Sequence, residues 1–210
     1  MSKNDRKTPV VNGRWRLILL GGVLITSLSL GLWWLTADET RVGALAPQAP
    51  QQQSLAGAVP DFAWRGYQIR PLAALQMQAR VLGIAWYPDG VGADIAPLDL
   101  ALGWGPMSDE AVLSAFQISQ SQRWYSLSAP KSPISMYSAA QHSANMHIIP
   151  ANQGLRERLR QLRVGDLLEL SGWLVNVSGK DWHIESSLTR DDRGAGACEL
   201  VYLLSLEKLP

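Results

Sequence analysis

LQMQARVLGIAWY, residues 75–87, decides the fold. Leu75, Met77, Ala79, Val81, Ala85 and Tyr87 fall on one side at a period of two, and Gln76, Gln78 and Arg80 fall on the other. That alternation is the signature of a half-buried strand. It blurs at Leu82, Ile84 and Trp86, where burial on both sides is predicted. Pro88-Asp89-Gly90 then closes the run as a turn, because proline presets φ and glycine accepts a positive φ.

Working outward, further strands are predicted over residues 67–70, 98–104, 118–127, 146–149, 167–177, 181–188 and 198–206. Gly172 is expected to mark a bend or bulge. Ser108 is a good N-cap for a helix reaching Phe116, with Asp109 and Glu110 complementing its dipole. Asn152 caps a second helix to Leu162, with Leu155, Leu159 and Leu162 forming one core-facing stripe. Residues 128–144, rich in Ser, Ala and Pro, read as a long irregular loop. Strands outnumber helices and no βαβ series occurs, so the fold class is α+β: one mainly β domain, a curled or barrel-like sheet with two helices.

The order strand, helix, Gly165-Asp166, strand across residues 148–177 resembles small five-stranded OB-type barrels, which place a helix between two strands. The resemblance implies an architecture and no activity.

Toward the N-terminus, residues 17–35 (LILLGGVLITSLSLGLWWL, Leu17 to Leu35) are 19 uncharged positions. As a helix they would span roughly 28 Å, close to the hydrocarbon core of a bilayer. Trp15 flanks one end, and Trp33 and Trp34 the other, where indoles favour the headgroup interface. Lys3, Arg6, Lys7, Arg14 and Arg16 precede the span, so residues 1–16 are expected to be a basic cytoplasmic tail, with the rest of the chain outside. Cleavage as a signal peptide competes with this anchor; Ala44-Leu45-Ala46 is its best small-x-small match, although Pro47 follows. Residues 38–60, with three Pro and four Gln, read as a flexible tether, and residues 61–210 as the extracytoplasmic domain. The expected setting is a bacterial inner membrane with the domain facing the periplasm.

The formal charge of +1 gives no field that steers toward nucleic acid, which is not an expected partner. A single cysteine rules out an internal disulfide framework, and no cofactor or metal is expected. No P-loop, GxGxxG, GxSxG, HExxH or CxxC occurs. Cys198 opens an apolar strand after Gly194-Ala195-Gly196-Ala197, and could be a nucleophile or a small buried hydrophobe. The available bases are His142, His147 and His183; folding alone can bring His147 or His183 to the thiol. Asp191 and Asp192, between Arg190 and Arg193, could do acid/base work or form a solvated turn. Arg156, Arg160 and Arg163 lie near one helix face and could hold phosphate, or simply be solvated.

Six of the nine tryptophans lie beyond residue 60: Trp64, Trp86, Trp104, Trp124, Trp173 and Trp182. Trp64 and Trp182, beside polar neighbours, are expected to show a face to solvent and to bind. The reading from sequence is therefore a membrane-anchored binding or accessory module for an envelope protein or surface polymer. The alternatives are a tethered Cys/His hydrolase and a phosphate or nucleic-acid binder built on the arginine helix.

Overall fold

The computed structural model describes residues 43–90, 92–189 and 197–210. The tail over 1–16, the span over 17–35, and Asp191 with its loop neighbours lie outside the described residues. Among the described residues no helix is long and apolar enough to cross a membrane.

The described chain is mainly β, 47% strand and 14% helix, with three helices and a curled sheet rather than a closed barrel. Its strands are β1 (Gln51–Ser54), β2 (Phe62–Trp64), β3 (Tyr67–Trp86), β4 (Leu98–Gly103), β5 (Gln117–Ser121), β6 (Trp124–Ser128), β7 (Ser143–Pro150), β8 (Leu167–Ser178), β9 (His183–Ile184) and β10 (Glu199–Lys208). Helix α1 (Glu110–Leu113) follows β4, α2 (Met136–Gln141) precedes β7, and α3 (Gln153–Arg160) joins β7 to β8.

The deciding stretch is half of one 20-residue strand that begins at Tyr67. Strands usually run 3–10 residues, and β3 reaches its length by changing partner. It pairs with β8 through Gln68–Arg80 and with β4 through Arg80–Trp86. The register shifts between Val81 and Gly83, where the alternation fails in the sequence. The main path runs β3-β4-β7-β10-β8, and β8 also pairs with the first part of β3, which curls the sheet; β7 and β10 are parallel and the other pairs antiparallel.

One face of the curl encloses Leu75, Met77, Leu98, Leu100, Leu102, Met146, Ile148, Leu170, Leu174, Val201 and Leu203, closed by Leu155 and Leu159 of α3. The other face carries two apolar clusters. Ile69, Ile149, Val175, Leu200 and Tyr202 lie under Phe62, Trp64, Trp173 and Trp182. Leu82, Ala101, Met107 and Ala139 lie under the β5–β6 hairpin.

Four expectations are corrected. Residues 51–54 of the supposed tether are strand β1, paired with Ala73–Gln76, and Ala46 is fully buried, so the folded unit starts well before Asp61. Residues 118–127 form a hairpin with a two-residue loop, not one strand. The loop over 128–144 contains α2, capped by Ser135. Asp109, not Ser108, caps α1; the Ser108 hydroxyl is buried and instead accepts from the Ala46 N–H. Asn152 caps α3 as predicted, accepting from the Leu155 N–H. Gly172 does mark an irregularity, because a Cβ there would sit 2.4 Å from the Tyr202 carbonyl oxygen, opposite a register shift in β10.

Candidate functional site

Alternation along three adjacent strands builds the site. In β4 the Leu98, Leu100 and Leu102 side chains enter the core, so Asp99 and Ala101 point to the other face. In β7, Met146 and Ile148 enter the core, so Asn145 and His147 point with Asp99. Asp99 is directly opposite His147 across β4–β7, and His147 is opposite Leu200 across β7–β10. Cys198 lies just before β10, two residues ahead of Leu200. A polar strip thus separates the two outer apolar clusters.

His147 Nδ1 donates to Asp99 Oδ1 at 2.7 Å. Cys198 is near enough to the imidazole to act on its pKa, and Nε2 is the ring nitrogen that Asp99 leaves free. Burial alone would lower the His147 pKa. The hydrogen bonds to Asp99 and Cys198, and the charges of both, outweigh burial and push it up to about 9. At neutral pH the ring is therefore an imidazolium held by the Asp99 carboxylate.

Asp99 is fully buried, and a buried carboxylate needs partners. Arg123 Nη1 donates to Asp99 Oδ1 at 2.8 Å and to the Ala96 carbonyl at 2.8 Å. The guanidinium carbon lies 3.8 Å from the centre of the Tyr87 ring, a cation–π contact. Asn145 Nδ2 donates to the Arg123 carbonyl at 3.2 Å, while its Oδ1 accepts from Gln120 Nε2 at 2.7 Å. The hairpin is thereby tied to the sheet through polar groups.

The hairpin loop is unusual. Gln122 and Arg123 both have positive φ, 50° and 71°. Two-residue loops of this hand favour Asn-Gly, and a non-glycine residue there costs about 1–2 kcal/mol. The Arg123 contacts offset that cost and explain why an arginine occupies the position.

A cavity of about 420 Å³ opens beside the thiol. Cys198, Asn145 and Arg123 are among its polar lining, and Trp124, Tyr125, Leu127 and Met136 form an apolar wall. Burial raises the Tyr125 phenol well above its usual pKa, against the opposing effect of Ser143, so it stays neutral.

Of the residues singled out from sequence, Cys198 and His147 come together. His183 does not join them; it is exposed on β9, beside a separate hollow lined by Asp61, Arg70 and Glu185. The strand expected over 181–188 is only His183–Ile184, and Ser187 beyond it is buried, its N–H donating to the Cys198 carbonyl at 3.0 Å. His142 ends α2, with Nδ1 on the Ser138 carbonyl at 2.8 Å.

Trp64 and Trp182 are half-buried in the aromatic cluster, Trp64 edge-on to Tyr202 and Trp182 tilted against Tyr67. The most exposed indole among the described residues is Trp124, 54% exposed. Arg160 and Arg163 are exposed and Arg156 half-buried, and none of the three lines the cavity. Asp99, Arg123 and Asn145 were not singled out from sequence. Among the described residues no group of three or more His, Cys, Asp or Glu is arranged to hold a metal ion. No protein family, curated protein or solved structure matches this chain.

Proposed function

We propose that the folded unit is a thiol-dependent acyl-transfer enzyme, a hydrolase when water is the acceptor, held outside a membrane by the apolar segment Leu17 to Leu35. The observation that carries the reading is the Asp99–His147 pair with Cys198 near its ring and at the edge of a cavity. In this arrangement Cys198 is the nucleophile, and His147 is the acid and base beside it. The sulfur attacks a carbonyl carbon, an S–C bond forms, and the leaving group departs with a proton from His147. Water then releases the acyl group, with His147 accepting its proton. Asp99 fixes the ring orientation, and Arg123 holds Asp99.

The anchor is supported by the uncharged run and the basic residues before it. Ala46 supports it further, since cleavage after Ala44-Leu45-Ala46 would remove a fully buried residue whose carbonyl accepts from the Gly105 N–H. A reporter fused after Pro210 should be active only outside the cytoplasm; cytoplasmic activity overturns that placement.

For the chemistry, the full-length chain in lipid nanodiscs is treated with iodoacetamide at pH 7, and alkylation of Cys198 is followed by mass spectrometry. Cys198 should react about tenfold faster than N-acetylcysteine, and His147→Gln should abolish the advantage. Equal rates for the wild-type thiol and N-acetylcysteine overturn the reading. A second reading, a binding module for an envelope protein or polymer, is favoured by exposed Trp124; it predicts that Cys198→Ala leaves partner capture intact.

A further inference from the structure

We propose that the acyl group taken by this site is bulky and apolar, seated between Trp124 and Met136; the proposal rests on the thiol reading above. The solvent face of the β5–β6 hairpin carries Gln117, Ser119, Ser121, Ser126 and Ser128, and among them one indole. The opposite hairpin face, Ile118, Tyr125 and Leu127, already supplies the packing against the sheet. Trp124 therefore has no part in the core, yet it lines the cavity that holds the thiol.

Met136 reaches the same cavity from a different element, the first turn of α2, and is 44% exposed. Two large apolar side chains left in water by separate elements, converging beside one nucleophile, mark a surface whose burial awaits a ligand. Tyr125 and Leu127 add to the apolar lining of the same cavity. An apolar chain would bury the indole and the thioether, with its carbonyl left at Cys198. The reacting step is acylation: the Cys198 sulfur bonds to the carbonyl carbon, the bond to the leaving oxygen breaks, and that oxygen leaves with the electron pair. The thiol's proton is carried by His147 and departs with that oxygen.

The test compares p-nitrophenyl acetate with p-nitrophenyl phenylacetate on the full-length chain in nanodiscs, reading p-nitrophenolate release and the mass of acylated Cys198. N-acetylcysteine in the same suspension supplies the reference ratio, and each protein rate is divided by that variant's iodoacetamide rate at Cys198. The phenylacetyl-to-acetyl ratio should exceed the reference about tenfold, fall to the reference in Trp124→Ala, and survive in Trp124→Phe. A wild-type ratio equal to the reference, or one unchanged by both Trp124→Ala and Met136→Ala, overturns the proposal while leaving a reactive thiol standing. A Cys198 that iodoacetamide attacks no faster than N-acetylcysteine defeats the thiol reading itself, and this proposal with it.

Discussion

His147 and Asp99 face each other across the β4–β7 pair, with Nδ1 and Oδ1 2.7 Å apart and the carboxylate wholly out of solvent. The contact fixes the orientation of the ring and leaves Nε2 free of the carboxylate. It also keeps a proton on the ring through neutral pH, because the pKa is pushed up to about 9 despite burial.

That proton links stability to pH. A histidine whose pKa rises from 6.5 in the unfolded chain to about 9 in the fold stabilises the fold fully below pH 6.5 and loses that contribution as pH climbs through 9. The contribution at stake is about 3 kcal/mol. Melting temperatures measured between pH 6 and pH 10 should fall from about pH 6.5 to about pH 9 and level off above it. His147→Gln should flatten that slope, and a wild-type Tm that stays level across the range contradicts the assignment.

The strip around this pair was partly legible in the sequence. Leu98-Asp99-Leu100-Ala101-Leu102 places one acid in an otherwise apolar strand, and Asn145-Met146-His147-Ile148 alternates polar with apolar side chains. Either pattern on a strand buried throughout signals polar groups that must find each other. Arg123 carried no such signal. Its role arises from a hairpin folding back over β4, and local propensity cannot show where a hairpin docks. Gln51–Ser54 was missed for a related reason: its side chains are all exposed and it is held through main-chain pairing to β3. Trp64 is half-buried: the Arg65 guanidinium lies 4.7 Å over the indole, which also packs against Tyr202.

Asp99→Asn tests the cluster from its acidic end. The substitution leaves Arg123 and His147 without their carboxylate, and breaking a buried pair by removing one partner costs about 3 kcal/mol or more. Denaturant unfolding should show that loss. Adding Arg123→Met should recover part of it, since the uncompensated cation goes too. Strictly additive losses would mean that the two residues are not coupled.

The hairpin loop separates strain from function. Gln122 is exposed at φ 50°, so Gln122→Gly should stabilise by about 1 kcal/mol through relief of the left-handed backbone. Arg123→Gly relieves the same kind of strain at φ 71° but forfeits the bonds to Asp99 and Ala96 and the stack on Tyr87. It should therefore destabilise, and slow alkylation of Cys198 as well. Stabilisation by both glycines in urea titrations would show that Arg123 contributes nothing beyond occupying the turn.

The curl of the sheet depends on how closely β8 approaches β10. Gly172 lies opposite Leu203, where the β10 register shifts, and a Cβ added there would meet the Tyr202 carbonyl oxygen at 2.4 Å and the Leu203 Cα at 3.2 Å. Both are backbone atoms, so no side-chain rotation relieves the clash, and the strands must part. Gly172→Ala should cost about 3 kcal/mol, the upper part of the overpacking range. Parting these strands would also disturb β10, the strand that begins beside Cys198 and pairs with His147 through Leu200. Hydrogen exchange in Gly172→Ala should accordingly quicken at the β8–β10 amides, while the β5–β6 amides keep their wild-type rates. Unchanged protection along β10 would show that the close approach is not what holds the sheet in its curl.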